Sequence, residues 1–317
     1  MGGLGRRTVT VRELLRTVGA MCVSILAASF VVFASLYAAP GDAESVLFGS
    51  TTPTDEVRAA VRDQYRLDDP FLVRYVHWLG SVAHGDFGTS FVGGQSVATR
   101  LGATAPTTLA LVGLAGLLLV VIGIALGVPM GLRPGRVDTV LTTVVAVVAG
   151  IPTFVSATLL IAVFAVGLGW FPAYGADGLR GLVLPALSLA LVSSAMLARI
   201  TRASVRAESG REYVTTARAR GLPSRVVVAR HILPNAAGPV ITAGGLLVAA
   251  LFAGAIVVEN AFGIAGLGSL LVSSVNRQDF PTVQAISLLL VVVFVLTNTL
   301  VDLAARGLDP RQRRRAA

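Results

Sequence analysis

Apolar residues in this chain fall in long unbroken runs rather than in the 3.6- or 2-residue alternation of a water-soluble domain. The runs cover Val18–Ala39, Thr107–Met130, Val137–Leu168, Leu182–Thr201, Asn235–Val258 and Val283–Ala305. About 20 apolar residues in a helix cross the hydrocarbon core of a bilayer, so five of these predict one crossing each. The run from Val137 to Leu168 is longer than one straight crossing requires and is interrupted by Gly150 and Pro152. It predicts either one kinked helix with an extension or two spans. Between the first two runs, Pro40 to about Thr104 is polar and acidic and predicts two amphipathic helices. Thr54 is placed to cap the first, in which Val57, Ala60, Val61 and Gln64 or Tyr65 recur at helical spacing. The second follows the Asp68, Asp69, Pro70 break, with Phe71, Leu72, Tyr75, Val76, Leu79 and Val82 as its apolar face.

Composition agrees with the pattern. The chain is 54% hydrophobic and 14% charged, with a mean hydropathy of +0.78, which predicts an all-α integral membrane protein because helices satisfy their own backbone groups in lipid. All 26 basic residues are arginine. Without lysine there is no ordinary P-loop, whose Lys reaches the nucleotide phosphates, and no Schiff-base chemistry. The single cysteine, Cys22, closes no disulfide within the chain. At the amino end Arg6, Arg7, Arg12 and Arg16 precede the first run. A signal peptide cleaved near Ala38 and Ala39 is the competing reading, but the run exceeds the usual apolar length of such peptides, and an uncleaved first span is expected.

Arginine placement orders the spans. Six spans with the amino end inside leave only Arg58, Arg62, Arg66, Arg74, Arg100, Arg180 and Arg277 outside. Splitting the third run would carry all the later inside arginines across the membrane, so the positive-inside rule favours six, with both ends cytoplasmic. Trp170, Phe171 and Tyr174 after the third run form an interfacial aromatic group, with a turn at Pro172 and Gly175.

The segment from Arg199 to Pro234 holds eight arginines. An arginine at the centre of a spanning helix costs about 2.5–3.5 kcal/mol, so this segment belongs in water or against another protein. After Gly210 a helical pattern runs to Arg220, Gly221 sits at the C-terminal cap, and Pro223 opens a second short helix. Arginines near helix ends also act as topology determinants and anionic-lipid contacts, which accounts for Arg199, Arg202 and Arg206. Thr215, Thr216, Ala217, then Gly221, then Leu233 and Pro234 resemble the EAA loop of permease subunits of ATP-binding-cassette importers. Threonines stand at 215 and 216 where the general motif has Glu and Ala, and His231 stands where Ile is usual. The string Tyr213, Val214, Thr215, Thr216, Ala217, Arg218, Ala219, Arg220, Gly221 resembles the variant of dipeptide and oligopeptide permeases. Leu67, Asp68, Asp69, Pro70, Arg74, Tyr75, Trp78, Leu79, Gly85, Asp86, Phe87, Gly88 and Ser90 resemble the same subfamily. So do the outer-loop residues Glu259, Asn260, Phe262, Gly263, Gly266, Leu267, Gly268, Asp279, Phe280 and Pro281.

The resemblance implies a six-span bundle of the type I importer kind, the first of two permease subunits in a bacterial inner membrane. Residues 1–96 would be an amino-terminal span with a periplasmic amphipathic region, 97–306 the transmembrane domain with its cytoplasmic loop at 205–234, and 307–317 a basic tail. It implies that Glu212, Tyr213, Thr215, Thr216, Ala217, Arg218, Arg220, Gly221, Leu233 and Pro234 couple to a separate ATPase. Two ATP-binding subunits, a second homologous permease, an extracytoplasmic substrate-binding protein and membrane lipid are the implied partners. ATP would be bound by those partners and no cofactor by this chain. Nickel and glutathione permeases share the motifs, so the cargo is left open and no substrate-binding residue is singled out.

The remaining residues point away from other classes. No H-E-x-x-H, metal-spaced cysteine or acid pair is present, nucleic acid is not an expected partner, and His77 and His84 read as solvated or packed rather than as ligands. Ser188, Ser193 and Ser194 are expected to bond to backbone within helices. No acid lies near a span midplane; Glu259 and Asp302 fall close to opposite ends. A secondary carrier or channel working without an ATPase would usually keep buried ionisable groups for coupling. Gly113, Gly116, Gly123 and Gly127, and Gly238, Gly244, Gly245 and Gly254, are expected to let helices approach closely.

Overall fold

The computed structural model describes residues 11–37, 54–64, 66, 68–175 and 178–308. Arg6, Arg7, the cleavage position at Ala38 and Ala39, Tyr65, Leu67 and the tail from Asp309 onward lie outside these. Among the described residues the chain is helical throughout apart from loops and one isolated bridge between Thr89 and Ser96. Helices are numbered in chain order: α1 Val11–Tyr37, α2 Asp55–Gln64, α3 Phe71–Ala83, α4 Val97–Leu132, α5 Arg136–Ala149 and α6 Thr153–Leu160. They continue as α7 Gly178–Ser209, α8 Glu212–Ala219, α9 Ser224–Val227, α10 Leu233–Phe262, α11 Leu267–Asn276 and α12 Phe280–Leu308.

Among the described residues, five helical segments are long and apolar enough to cross a membrane: Leu15–Ser35, Val97–Leu132, Gly178–Ser209, Ser224–Phe262 and Phe280–Val301. The third predicted run is broken. Arg136–Ala149 and Thr153–Gly167 meet at 100°, a bent pair that brings the spans to six when counted as one crossing. The break has a local cause. Pro152 offers no N–H and holds an extended ψ of 144°, so α5 ends as Gly150 N–H donates to the Val147 carbonyl and a new helix starts at Thr153. α6 then widens into a π-helical stretch, Ile161–Gly167, closed by Leu168 N–H on the Val163 carbonyl at 2.9 Å.

The chain divides into two compact units. The first is Met1–Ala103 with Ser273–Thr299. In it, Phe71, Tyr75 and Trp78 of α3 present one face to Phe30 and Phe33 of α1, with ring centroids 5.3 to 5.7 Å apart. The Tyr75 hydroxyl lies 2.9 Å from that of the buried Ser29. The apolar face expected of α3 is therefore corrected: Leu72 and Val76 are both 64% exposed, and the aromatic stripe at 71, 75 and 78 makes the contact. His77 is exposed, His84 Nδ1 lies 2.8 Å from the Gly80 carbonyl, and no metal-holding cluster occurs among the described residues.

The same unit contains a buried acid. Asp279 accepts hydrogen bonds from Arg100 Nη1 at 2.6 Å, the Ser90 hydroxyl at 2.5 Å, Thr282 Oγ1 at 2.7 Å and the Phe91 N–H at 3.0 Å. Burial of a carboxylate is tolerated because both oxygens accept hydrogen bonds and a guanidinium pairs the charge.

The second unit is Thr104–Val272 with Leu300–Ala317. Leu111, Leu119, Leu184, Leu197, Leu251 and Phe262 anchor its apolar core. A seam of small residues joins α4 to α7. A methyl group added at Gly123 would lie 2.9 Å from Leu197 Cβ, one at Gly127 2.6 Å from the Ala198 carbonyl oxygen, and one at Gly131 2.7 Å from Val205 Cβ. Only hydrogen fits at these three positions. Gly245 is equally confined, by Val301, whereas Gly113 and Gly238 face open space. Ser188 and Ser194 bond to the Pro185 and Leu191 carbonyls, each at 2.8 Å, as expected of helix serines.

Glu259, in the last turn of α10, is fully buried. Its carboxylate accepts the Thr108 hydroxyl at 2.6 Å and the N–H groups of Gly268 and Ser269 at 2.7 and 3.0 Å, while Leu267 N–H donates to Thr108 Oγ1 at 2.8 Å. These are orphan donors of the first turn of α11, so an acid from one helix caps another. Side chains at Gly266 or Gly268 would collide with it.

Candidate coupling loop

The loop lies wholly in the second unit, from the end of α7 to the start of α10. α8 is eight residues long and amphipathic. Val214 and Ala217 face inward, 0% and 6% exposed, against Val205 of α7, Val227, Ile232 and Ala236. Tyr213 lies partly buried beside them. Its hydroxyl donates to the buried Glu208 carboxylate and also lies 3.3 Å from the His231 carbonyl oxygen. One phenol thus fastens α8 to the helix before it and to the turn after it.

The C-terminus of α8 follows the sequence signal closely. Gly221 has φ +75°, a left-handed conformation that costs a side-chain-bearing residue roughly 1–2 kcal/mol. Its N–H donates to the Arg218 carbonyl at 2.9 Å, and Leu222 N–H donates to the Ala217 carbonyl at 3.3 Å. This pair of bonds is the Schellman arrangement, in which glycine turns the chain out of the helix.

The second short helix differs from expectation. α9 does not stand alone: it passes through a π-helical turn, Val228–Ile232, directly into α10, so Ser224–Phe262 is continuous. Pro234 supplies the reason. A proline beyond the first turn cannot donate to the fourth carbonyl before it and its ring crowds that carbonyl, and widening the turn by one residue relieves both. Leu233 N–H consequently bonds to the Val228 carbonyl.

The ten sequence-selected residues therefore separate by environment. Glu212, Thr215, Thr216, Arg218, Arg220 and Gly221 are exposed, together with Ala219 and Arg225. Tyr213, Ala217 and Leu233 pack beneath them, and Pro234 lies on the surface at the head of α10. A partner docking on α8 would touch the first group, and the second sets how α8 sits.

Sequence reasoning passed over one nearby cluster. Asp138, in the first turn of α5, is 7% exposed. It accepts two hydrogen bonds from Arg202, Nε at 2.5 Å and Nη2 at 2.8 Å, and one from Arg206 Nη1 at 2.9 Å. An acid opening an apolar run, opposite arginines four residues apart on one helix, was the available signal. Thr201 Oγ1, one residue away, is buried without a partner among the described atoms.

Long apolar helices, a bent pair and an arginine-rich loop capped by a left-handed glycine define a multi-pass membrane protein with one built polar loop. The chain belongs to the family of binding-protein-dependent transport system inner membrane components. That family matches residues 123–314, and the N-terminal domain of such membrane components matches residues 10–112. Among similar proteins, the glutathione transport system permease protein GsiC of Salmonella choleraesuis (strain SC-B67) is 36% identical over 288 residues, 90% of this chain and 94% of that protein. A probable peptide ABC transporter permease protein, y4tP of Sinorhizobium fredii (strain NBRC 101917 / NGR234), is 33% identical over 311 residues, 95% of this chain and 98% of that one.

An inward-facing form of the methionine ABC transporter MetNI shares the fold, with TM-score 0.57 and 22% identity, covering 66% of this chain and 96% of that one. The protein is accordingly a multi-pass component of a bacterial inner membrane and a subunit of an importer, not itself an enzyme; the ATPase resides in separate subunits. A carrier working without an ATPase gives way to this assignment.

Proposed function

We propose that the chain is one of two homologous permease subunits of an ATP-driven importer for short peptides, with di- and oligopeptides and the tripeptide glutathione as the cargo class. Its amino and carboxyl ends and α8 lie on the cytoplasmic side, and an extracytoplasmic binding protein delivers cargo to the opposite face. The outer surface of α8, made by Glu212, Thr215, Thr216, Arg218 and Arg220, rests in a groove on an ATP-binding subunit. Closure of the two ATPases moves α8, and the attached spans then change the side to which the pathway opens. The observation that carries this reading is an exposed polar helix clamped to two spans by Tyr213 and ended by Gly221, in a chain similar to glutathione and peptide permeases.

Co-expression with the ATPase, second-permease and binding-protein genes allows a direct test. Cysteines at Thr215 or Arg218 are expected to crosslink to the ATPase, and labelled dipeptide, oligopeptide or glutathione to enter in competition with one another. Absence of any such crosslink refutes the coupling surface. Uptake of nickel with no peptide uptake refutes the cargo class while leaving the coupling intact.

A further inference from the structure

The carboxylate of Asp138 is saturated. Oδ1 accepts Arg202 Nε at 2.5 Å and Thr142 Oγ1 at 3.3 Å, and Oδ2 accepts Arg202 Nη2 at 2.8 Å and Arg206 Nη1 at 2.9 Å. Arg202 binds as a planar fork, which fixes direction as well as distance. The tie joins the first turn of α5, the leading half of the bent span, to the stretch of α7 that runs into α8.

Half a turn beyond Arg206, Glu208 holds Tyr213 of α8. Two charge-assisted ties therefore lie in series, from α5 to α7 and from α7 to α8. The first is not needed merely to hold α5 against α7. Leu141, Val145 and Val148 already pack on Ala195 and Ala198 along that interface, and well-packed apolar residues often replace a buried ion pair without loss of stability. What a forked ion pair adds to an apolar seam is resistance to sliding and rotation, because small displacements break its geometry while apolar contacts simply re-register.

We propose that Asp138 is a positioning residue for transport: through Arg202 and Arg206 it forces the bent span to move as one body with α8. The inference rests on the reading of α8 as the ATPase-coupled element.

The experiment uses the reconstituted assembly of this chain with its second permease, ATPases and binding protein. Spin labels are placed at Val147, exposed on α5, and at Arg211, the exposed residue that opens α8. Distances are measured by pulsed electron resonance, nucleotide-free and trapped with ADP and vanadate, and peptide uptake per ATP hydrolysed is recorded in parallel. In the wild-type assembly the distance is expected to stay unchanged between the two states.

In Asp138→Asn it is expected to change on trapping, and peptide delivered per ATP to fall by about tenfold, inside the roughly 5- to 150-fold range that couplings between sites span. Asp138→Glu restores both. Unchanged distance and unchanged ratio in Asp138→Asn overturn the proposal. So does a parallel fall in uptake and ATP hydrolysis without a distance change, which marks a packing role alone. Failure of the wild-type chain to bind the ATPase at all, or to stimulate it, overturns the α8 reading and this inference together.

Discussion

The α4–α7 seam predicts that two glycines on the same helix respond oppositely to the same substitution. Gly127→Val puts its first carbon 2.6 Å from the Ala198 carbonyl oxygen, about 0.7 Å inside ordinary C···O contact of roughly 3.3 Å. Neither backbone can yield locally, so the helices must part. A gap of about 0.5–1 Å forfeits a quarter to a half of each dispersion contact along Leu197, Thr201 and Val205, and overpacking of this kind costs typically about 1–3 kcal/mol. The valine branches extend the overlap, which puts the expectation near the upper end. Helix propensity returns only about 0.4 kcal/mol on replacing glycine by valine.

Gly113→Val meets nothing within 4 Å and keeps the propensity gain. Thermal unfolding of the purified chain in detergent, at about 2–4 °C per kcal/mol for a chain of this order of size, should lower the Gly127→Val midpoint by about 5–10 °C and leave Gly113→Val at or slightly above wild type. Equal midpoints for Gly127→Val and wild type, or an equal drop in both variants, would refute the close approach of these helices.

Gly221→Ala meets no obstacle but must hold φ +75°, a strain of about 1–2 kcal/mol; peptide uptake should fall at unchanged membrane abundance, and Gly221→Asn, which tolerates the left-handed region, should recover more of it. Replacing Ala217 by Leu, at a position 6% exposed, should lift α8 from its bed and abolish uptake while leaving insertion intact, as measured by uptake against immunoblotted membrane fractions. Arg100→Ala strands the buried Asp279 carboxylate and should cost about 3–5 kcal/mol, whereas the double variant with Asp279→Ala should melt closer to wild type. Glu259→Ala leaves the donors of Thr108, Gly268 and Ser269 unmatched, at about 1–3 kcal/mol for each that stays dry; a lowered unfolding midpoint would report it, and faster amide exchange at residues 267–269 with an unchanged midpoint would show that water takes over.

Span number and the loop were legible because each has a strictly local signature. Crossing length follows from a continuous apolar run, and the C-terminal cap of α8 from one glycine at a fixed offset. The break at Gly150–Pro152 was legible as an interruption, but its 100° turn was not, since backbone direction after a proline depends on what the next helix packs against. Polar pairs were the main omission. Asp138 meets Arg202 across 64 residues of chain and Arg100 meets Asp279 across 179, distances over which periodicity carries no information. The glycines show the same limit: Gly113 and Gly127 both sit among apolar residues of one run, and only the rotation of α4 about its axis decides which one touches a neighbour.

Pro234 also acts as a depth gauge. The widened turn before it leaves the His231 carbonyl to accept the Asn235 side-chain amide at 2.7 Å, with the Tyr213 phenol 3.3 Å away. Arg225, Arg230 and Asn235 flank this turn, so it belongs in the headgroup layer rather than among acyl tails. From Asn235 to Glu259 the helix rises about 36 Å at 1.5 Å per residue. Even leaning by about 20° it exceeds the roughly 30 Å of hydrocarbon. Anchoring one end of α10 at its proline thereby lifts the Glu259 carboxylate clear of the lipid tails on the opposite leaflet.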